Sequence, residues 1–322
     1  MRLIWLLSCL LSSLFADYSI IFVHIGDQVP SYTEIALSQA RLFNPHARVI
    51  LLGSDKGLKR LDSLKQINIE LCSYDQIPKT TIHEKYEREC VHNSPFWRYT
   101  SERFLYLWDF ISYYSLENIF HLENDNMLYA DLEYLLPKFI EGYSGIGATF
   151  DNEERCIPGF VWIANSRAME NLAQYFANKA FLGLNDMQII GSYRKENSPD
   201  IIDSLPIIMP EYAVTYNLIS PHFHTTTRPK SYSNRAEIFH AIFDAAAIGQ
   251  FLGGIDPMHQ NNGPGFINES CLFNPSLLQY HWELDQQKRA VPYAIFQGNR
   301  YQIINLHIHS KRLQEFISRP LA

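Results

Sequence analysis

SERFLYLWDFISYYSLENIFHLENDN, residues 101–126, joins a helical pattern to an apolar strand and then to an acidic turn. Apolar residues that recur on one helix face predict an amphipathic helix over 96–114: Phe104, Leu107, Trp108 and Ile111. The apolar run NIFHL predicts a short buried strand over 118–122. The strand leads directly into Glu123-Asn124-Asp125-Asn126. Because ligands of open α/β sheets bind outside the carboxyl ends of the strands, this acidic group stands where a ligand is expected.

Before this stretch, strand patterns alternate with a helical one. YSIIFVHI, residues 18–25, is a nearly continuous apolar run with β-branched residues, which predicts a buried parallel strand. A helix is predicted over 33–43, and further strands over 47–53 and 67–73. This alternation predicts an α/β fold with a parallel sheet and right-handed crossovers.

After residue 126 the alternation continues. The pattern predicts strands over 145–150, 160–164 and 301–309, and helices over 132–139, 167–178, 185–193, 244–252 and 311–317. A polar segment punctuated by proline, 220–233, predicts a loop that could order over a ligand. The sequence contains neither an internal repeat nor a long linker, so one domain is predicted over 17–322.

The composition excludes several classes of protein. The chain has 322 residues, 47% of them hydrophobic and 19% charged, which excludes intrinsic disorder and allows a large core. The formal net charge is −7 and no basic block occurs, so we expect no nucleic-acid partner. Aromatic residues make up 14%, which fits either a well-filled core or a sugar-binding surface.

The first sixteen residues, MRLIWLLSCLLSSLFA, predict a signal peptide that ends at Ala16. The apolar run is shorter than the roughly 20 residues that span a bilayer, so no stable transmembrane span is expected. The expected location is the secretory pathway, the periplasm or the exterior. Two alternatives stay open: an uncleaved apolar tail on a cytoplasmic protein, and a lipoprotein box ending at Cys9. The four other cysteines lack CxxC spacing, which disfavours a zinc knuckle and allows one or two disulfides.

Two groups of residues could hold a metal. Glu123 and Asp125 are two positions apart, so in an extended segment both carboxylates point to one side, where they could bind a hard divalent cation. In NLHIHSK, residues 305–311, His307 and His309 share one face of the predicted strand, and Lys311 could meet a phosphate. The alternatives are a solvated acidic turn and two buried histidines with ordinary hydrogen bonds.

In their order along the chain, these motifs resemble a GT-A type glycosyltransferase, most closely the glycogenin-like and related bacterial nucleotide-sugar transferases. FVHIGDQVPSYTEIALSQARLFNP, residues 22–45, looks like the opening of that family's nucleotide pocket, and this implies donor contacts from His24, Gly26 and Tyr32. Arg103 matches a basic residue that precedes the family's acidic motif, and the resemblance implies that it adds positive charge at the donor phosphates. Glu123-Asn124-Asp125 matches its DxD motif, with Glu in the first position.

Three later segments extend the resemblance. IPGFVWIANSRAMENL, residues 157–172, looks like the strand where Gly159 lets the backbone approach the donor sugar. LNDMQIIGSY, residues 184–193, implies Asp186 as a catalytic or sugar-orienting carboxylate with Gln188 beside it. NLHIHSK resembles the C-terminal motif that supplies a metal ligand and a phosphate-binding lysine, here Lys311. The family's following Gly and Pro-Trp are absent, and either histidine could be the ligand.

The resemblance implies one GT-A-like domain with a Rossmann-like, mostly parallel sheet flanked by helices. Its nucleotide-binding half would be 17–130, and its acceptor half and metal motif 131–322. The implied activity is transfer of a sugar from a nucleotide diphosphate sugar, with UDP expected, to an unknown glycan, lipid or protein acceptor, dependent on Mn²⁺ or Mg²⁺. Asp244 and Gln250 would lie near the acceptor, or alternatively belong to an ordinary capped helix.

Two rival functions stay open. A secreted metallohydrolase could use the two HxH pairs, His222 with His224 and His307 with His309, together with Asp125 around zinc. A non-catalytic protein that binds carbohydrate or nucleotide sugar could use the same scaffold, since the DxD match is imperfect.

Overall fold

A computed structural model describes residues 18–92, 94–216, 229–256 and 263–318. The predicted signal peptide, 1–16, and the His222/His224 pair lie outside the described residues. The helices among the described residues are too short or too polar to cross a membrane.

The strands form three sheets. In chain order they are β1 Ser19–Val23, β2 Arg48–Gly53, β3 Ile69–Ser73, β4 Ile119–Leu122, β5 Asn126–Leu128, β6 Ile146–Asn152, β7 Arg155–Ile163, β8 Ile202–Ser204, β9 Ala241–Ile242, β10 Gln279–Leu284, β11 Ala290–Phe296, β12 Asn299–Ile303 and β13 Asn305–His307. The seven-stranded central sheet has the order β3-β2-β1-β4-β7-β6-β8, and β7 alone runs antiparallel to the others in it. A four-stranded sheet has the order β10-β11-β12-β9, and β13 pairs with β5.

Helices connect and flank these strands. They are α1 Tyr32–Phe43, α2 Asp55–Leu58, α3 Thr81–Glu89, α4 Pro95–Tyr114, α5 Leu132–Gly142, α6 Ser166–Lys179, α7 Asp186–Asn197, α8 Pro210–Thr215, α9 Ala236–Phe239 and α10 Ala247–Gly253. The predicted fold class, α/β with a mostly parallel central sheet flanked by helices, is confirmed.

Most of the predicted elements hold to within a few residues, and those that differ most lie near the C-terminus. The strand predicted over 301–309 divides at Ile304 into β12 and β13, which pair with different partners. The helix predicted over 311–317 is a short 3₁₀ turn, Leu313–Phe316. Helix α3 and strands β5, β8, β9, β10 and β11 were not predicted. Of these, β10 is a largely exposed edge strand whose sequence, QYHWEL, offers no apolar run.

Large aromatic side chains fill the core. Phe104 and Trp108 are buried, as their helical spacing predicted, and so are Phe160 and Trp162. Tyr129, which follows the acidic motif by three residues, is also a core residue: it is fully buried and its hydroxyl donates to Phe316 O at 2.8 Å. Most of the aromatic content thus belongs to packing. The cysteines of the described residues are free thiols: Cys72, Cys90, Cys156 and Cys271.

Candidate active site

The acidic group after β4 forms a tight turn. Asn126 N donates to Glu123 O at 3.0 Å, and the Asn124 side chain donates to Val23 O at the end of β1 at 3.1 Å. Glu123 N donates to Gly159 O on β7 at 3.1 Å. The segment is therefore a turn, whereas an extended segment was predicted. The turn, held by both neighbouring strands, brings the two carboxylates together at the carboxyl end of β4.

Pairing between β5 and β13 brings a histidine to this turn. The register sets His307 opposite Asn126, and Ile308 N donates to Asp125 O at 2.9 Å. His307 Nε2 then lies 3.1 Å from Asp125 Oδ2 and 3.3 Å from Glu123 Oε2. Carboxylates and an imidazole that are far apart in sequence thus form one cluster.

Asp244 holds the backbone that carries His307. One of its carboxylate oxygens accepts from His307 N at 3.0 Å and from Gly249 N at 2.8 Å, and the other accepts from Ile248 N at 2.9 Å. Burial raises the pKa of Asp244 to about 6, even though these backbone N–H groups favour the carboxylate. Asp244 is buried behind His307, whereas Gln250 lines the cavity described below.

Lys311 places an ammonium group on the acidic pair. Its backbone has φ +63°, a left-handed conformation that is uncommon outside glycine. Its Nζ forms an ion pair with Asp125 Oδ2 and lies 5.7 Å from the centre of the Tyr32 ring. Burial alone would lower the pKa of Lys311, but Asp125 outweighs it and raises this pKa to about 12.

Arg103 joins three elements through its guanidinium group. Nη1 pairs with Glu123 in the turn, and Nη2 lies 2.8 Å from Asp186 Oδ2 at the start of α7. The three side chains are largely buried, with exposed fractions of 10% for Arg103, 16% for Glu123 and 4% for Asp186. The sequence implied a phosphate contact for Arg103, and the structure places it between two carboxylates.

The charged groups of the cluster shift one another's pKa values. Burial opposes ionisation of Asp125, but the charges of His307 and Lys311 outweigh it and hold the pKa of this carboxyl well below its usual range. Burial also opposes protonation of His307, yet Asp125 and Glu123 raise the pKa of its imidazole to about 9. The cluster therefore balances its carboxylates with the protein's own cations.

Asp186 is the first residue of α7. Asn185 caps this helix: its side chain accepts from Gln188 N, and the Gln188 side chain accepts from Asn185 N in return. This capping box accounts for the presence of Asn185 and Gln188 three positions apart. It directs the exposed Gln188 side chain to the helix end. Burial raises the pKa of Asp186, and Arg103 opposes that rise. Asp186 faces the cavity, and Gln188 is not among its lining residues.

A cavity of about 560 Å³ opens over this cluster. Among the residues that the sequence singled out, the following line it: His24, Tyr32, Arg103, Glu123, Asp125, Asp186, Gln250, His307, His309 and Lys311. Gly26, Gly159 and Gln188 are not part of the lining. Gly26 turns the chain after β1 with φ +117°, a conformation that favours glycine.

Gly159 packs behind the cluster. A Cβ at this position would lie 2.6 Å from Asn126 Nδ2 and 2.8 Å from His307 Nδ1. The absent side chain thus leaves room for the histidine.

His309 has a different environment from His307. Its Nδ1 accepts from Asp256 N at 3.0 Å, and the chain has already turned, with His309 N donating to His307 O. Burial, together with His307 and Lys311, lowers the pKa of His309 to about 4. His309 lines the cavity as a neutral ring, whereas His307 belongs to the group of possible metal ligands.

Three exposed aromatic side chains form one wall of the cavity mouth. Phe96, Trp97 and Tyr99, at the start of α4, have exposed fractions of 64%, 36% and 44%. Phe96 and Trp97 pack edge to face with ring centres 4.9 Å apart. The composition left an excess of aromatic residues to explain, and these three are the part of it that faces solvent beside the site.

The donor set fits a divalent cation. Glu123, Asp125 and His307 each offer one ligand atom, and these atoms lie within 4.8 Å of one another. Two carboxylate oxygens and one imidazole nitrogen suit ions between the hard and borderline classes, such as Mn²⁺. A bound ion would take over the counter-charge role that Lys311 fills beside Asp125.

Comparisons with known proteins give structural similarities alone. No family model matches the chain, and no curated protein matches its sequence. Mouse xyloside xylosyltransferase 1 in its apo form is similar at TM-score 0.45 and 11% identity, over 67% of this chain and 93% of that one. An active-site mutant of LgtC is similar at TM-score 0.44 and 13% identity, over 67% and 83%. The PaToxG glycosyltransferase is similar at TM-score 0.41 and 10% identity, over 57% and 70%. Sequence identities of 10–13% and TM-scores below 0.5 do not identify a function. The function is therefore inferred from the residues of this site.

Proposed function

We propose that this chain is a glycosyltransferase of the GT-A type that uses a divalent cation and a nucleotide diphosphate sugar, with UDP as the expected nucleotide. One observation carries the proposal: Glu123, Asp125 and His307 converge, beside Lys311, on the wall of a cavity of about 560 Å³ at the carboxyl end of β4. The combination of a cation site and a lysine on one cavity wall suits a diphosphate.

The roles of the residues follow from their contacts. Glu123, Asp125 and His307 would hold Mn²⁺ or Mg²⁺, which supplies electrostatic stabilisation of the leaving diphosphate when bound. Lys311 holds positive charge on the cavity wall beside Tyr32, where a phosphate oxygen can accept from its ammonium group. Arg103 acts as a positioning residue, because it fixes Glu123 and Asp186 relative to each other.

Asp186 lies at the opposite end of the same ion-pair chain and faces the cavity. Its buried carboxylate is suited to accept a hydrogen bond from a sugar hydroxyl, and so to orient the donor sugar or the acceptor. The aromatic wall of Phe96, Trp97 and Tyr99 offers flat apolar faces against which a sugar ring can pack.

The test is a thermal-shift panel of nucleoside diphosphates with and without Mn²⁺. Since a ligand that binds the native state raises the melting temperature, UDP with Mn²⁺ is expected to stabilise the wild type more than either alone. Asp125→Asn should lose this joint shift and also the metal-dependent release of UDP from UDP-sugars. Asp62→Asn, in an exposed side chain that pairs with Lys65, is the matched control and should behave as wild type.

Other outcomes would favour the rivals or end the proposal. Tightly held stoichiometric zinc with hydrolase activity would favour a metallohydrolase. Nucleotide-sugar binding without turnover would favour a non-catalytic binding protein. No shift with any nucleotide, with or without Mn²⁺, would contradict the proposed function.

A further inference from the structure

A second cluster of possible metal ligands lies outside the cavity, between α3 and α4. His83 and Glu87 are four residues apart on α3, and Glu102 faces them from α4. Each offers one ligand atom, and these atoms lie within 4.8 Å of one another. His83 and Glu102 are buried, and Glu87 is half-buried.

The orientation of His83 is fixed by Asp109. The Asp109 carboxylate accepts from Thr80 N at 2.9 Å and from the Thr80 hydroxyl at 2.8 Å, and His83 Nδ1 lies 2.5 Å from its other oxygen. An acceptor held in this way makes Nδ1 the nitrogen that carries the proton. Metal-ligating histidines almost always donate their second nitrogen to such a carboxylate or to another acceptor.

The other ring nitrogen points into the cluster and lacks a hydrogen bond. His83 is fully buried, and its Nε2 has no hydrogen-bond partner within the described part of the chain. Glu102 Oε1 lies 3.6 Å away, within ion-pair range of a protonated ring but too far for a hydrogen bond. Two ligands of a tetrahedral zinc ion, each about 2.0–2.1 Å from the metal, are roughly 3.3 Å apart. The observed separation is thus close to that of two ligands of one ion.

The charged side chains around the three possible ligands are also compatible with a bound cation. Glu102 has an exposed side-chain fraction of only 4%, and Arg98 approaches it at 3.5 Å. Lys79 lies 2.5 Å from Glu87 at the solvent-facing side and would compete there with a metal ion. An ion between the three ligands would satisfy the bare imidazole nitrogen and the buried carboxylate together.

We propose that His83, Glu87 and Glu102 form a second site for a divalent transition metal, for which Zn²⁺ is the probe, and that this site is separate from the cavity. A bound ion would tie α3 to α4 at Glu102, the residue before Arg103. The site would therefore stabilise the helix that carries Arg103 and the aromatic wall. This proposal is independent of the proposed transferase activity.

The test uses metal-free protein and Zn²⁺ alone as the probe, in an Asp125→Asn background that disables the cavity cluster. By titration calorimetry, D125N should bind one Zn²⁺, and the melting temperature should rise. Adding Glu87→Gln should weaken this binding at least 100-fold and abolish the rise. Adding Glu84→Gln, the same substitution at an exposed position of α3, should change neither.

Two further measurements separate a metal site from an ion-pair network. Co²⁺ in place of Zn²⁺ should give visible absorption in D125N and none in D125N/E87Q. Lys79→Met in the D125N background removes the competing ammonium, so Zn²⁺ should bind several-fold more tightly although the metal-free protein loses an ion pair. Absence of Zn²⁺ binding by D125N, or equal binding by D125N/E87Q, would overturn the proposal.

Discussion

Replacing Arg103 with methionine tests the reasoning about the site in the free protein. Methionine keeps the length and the apolar stem of the side chain but leaves Glu123 and Asp186 without their shared guanidinium. Removing one partner from a buried ion pair typically destabilises a protein by about 3–5 kcal/mol, because it strands a buried charge. The low exposure of these side chains puts Arg103 in that class. For a chain of this size, the melting temperature should fall by roughly 4–8 °C.

The assay is equilibrium unfolding in denaturant, followed by circular dichroism, alongside a thermal scan. Arg60→Met, at an exposed position, is the matched control and should stay within about 0.5 kcal/mol of the wild type. Asp186→Asn added to R103M removes one of the stranded charges and should restore a substantial part of the lost stability.

A different result would refute the role of Arg103 as the shared ion-pair partner of Glu123 and Asp186. If the unfolding free energy of R103M is lower than that of the wild type by less than about 1 kcal/mol, Arg103 behaves like a solvated side chain in the free protein. It would then be available to bind a phosphate. The same conclusion would follow if D186N failed to rescue R103M, because the two residues would then not be coupled.

Two other substitutions probe the support of His307. Gly159→Ala puts a methyl group 2.6 Å from Asn126 Nδ2 and 2.8 Å from His307 Nδ1. We therefore expect the folded variant to bind Mn²⁺ at least tenfold more weakly, as measured by calorimetry. The control is Gly263→Ala, because a methyl group at that position lies in open space. Asp244→Asn should lower the unfolding free energy by about 2–4 kcal/mol, because buried backbone N–H groups lose acceptors. Since burial raises the pKa of Asp244 to about 6, its contribution to stability is greatest below pH 4 and declines by up to about 3 kcal/mol as the pH rises through 6. Unfolding curves of D244N between pH 4 and 7 should lack this decline, and an unchanged slope would contradict the assignment.

The sequence predicted the central sheet well because its strands carry a strong local signal. Apolar runs such as the one that became β1 can adopt few other structures, and βα alternation leaves few topologies. The acidic turn was predicted from its position at the end of β4. Its conformation was not, since the hydrogen bonds that shape it come from Val23 and Gly159 on neighbouring strands.

The support of the site was harder to predict. The register between β5 and β13, which places His307 against Asp125, depends on two short strands that no period reveals. The role of Asp244 depends on backbone N–H groups, which every residue type but proline offers, so the sequence carries no mark of it. Arg103 was predicted as part of the site, yet its two carboxylate partners belong to a tertiary arrangement that spacing does not encode.

The pairing of β5 with β13 has a consequence for how the site is assembled during folding. Asp125 and His307 are 182 positions apart, so their contact closes a very long loop, and such non-local contacts form slowly. A nascent chain synthesised as far as residue 300 would carry both carboxylates and Arg103 but neither His307 nor Lys311. The constellation exists only after the last strand has docked, so a truncated or incompletely folded chain would hold the acidic turn without its histidine.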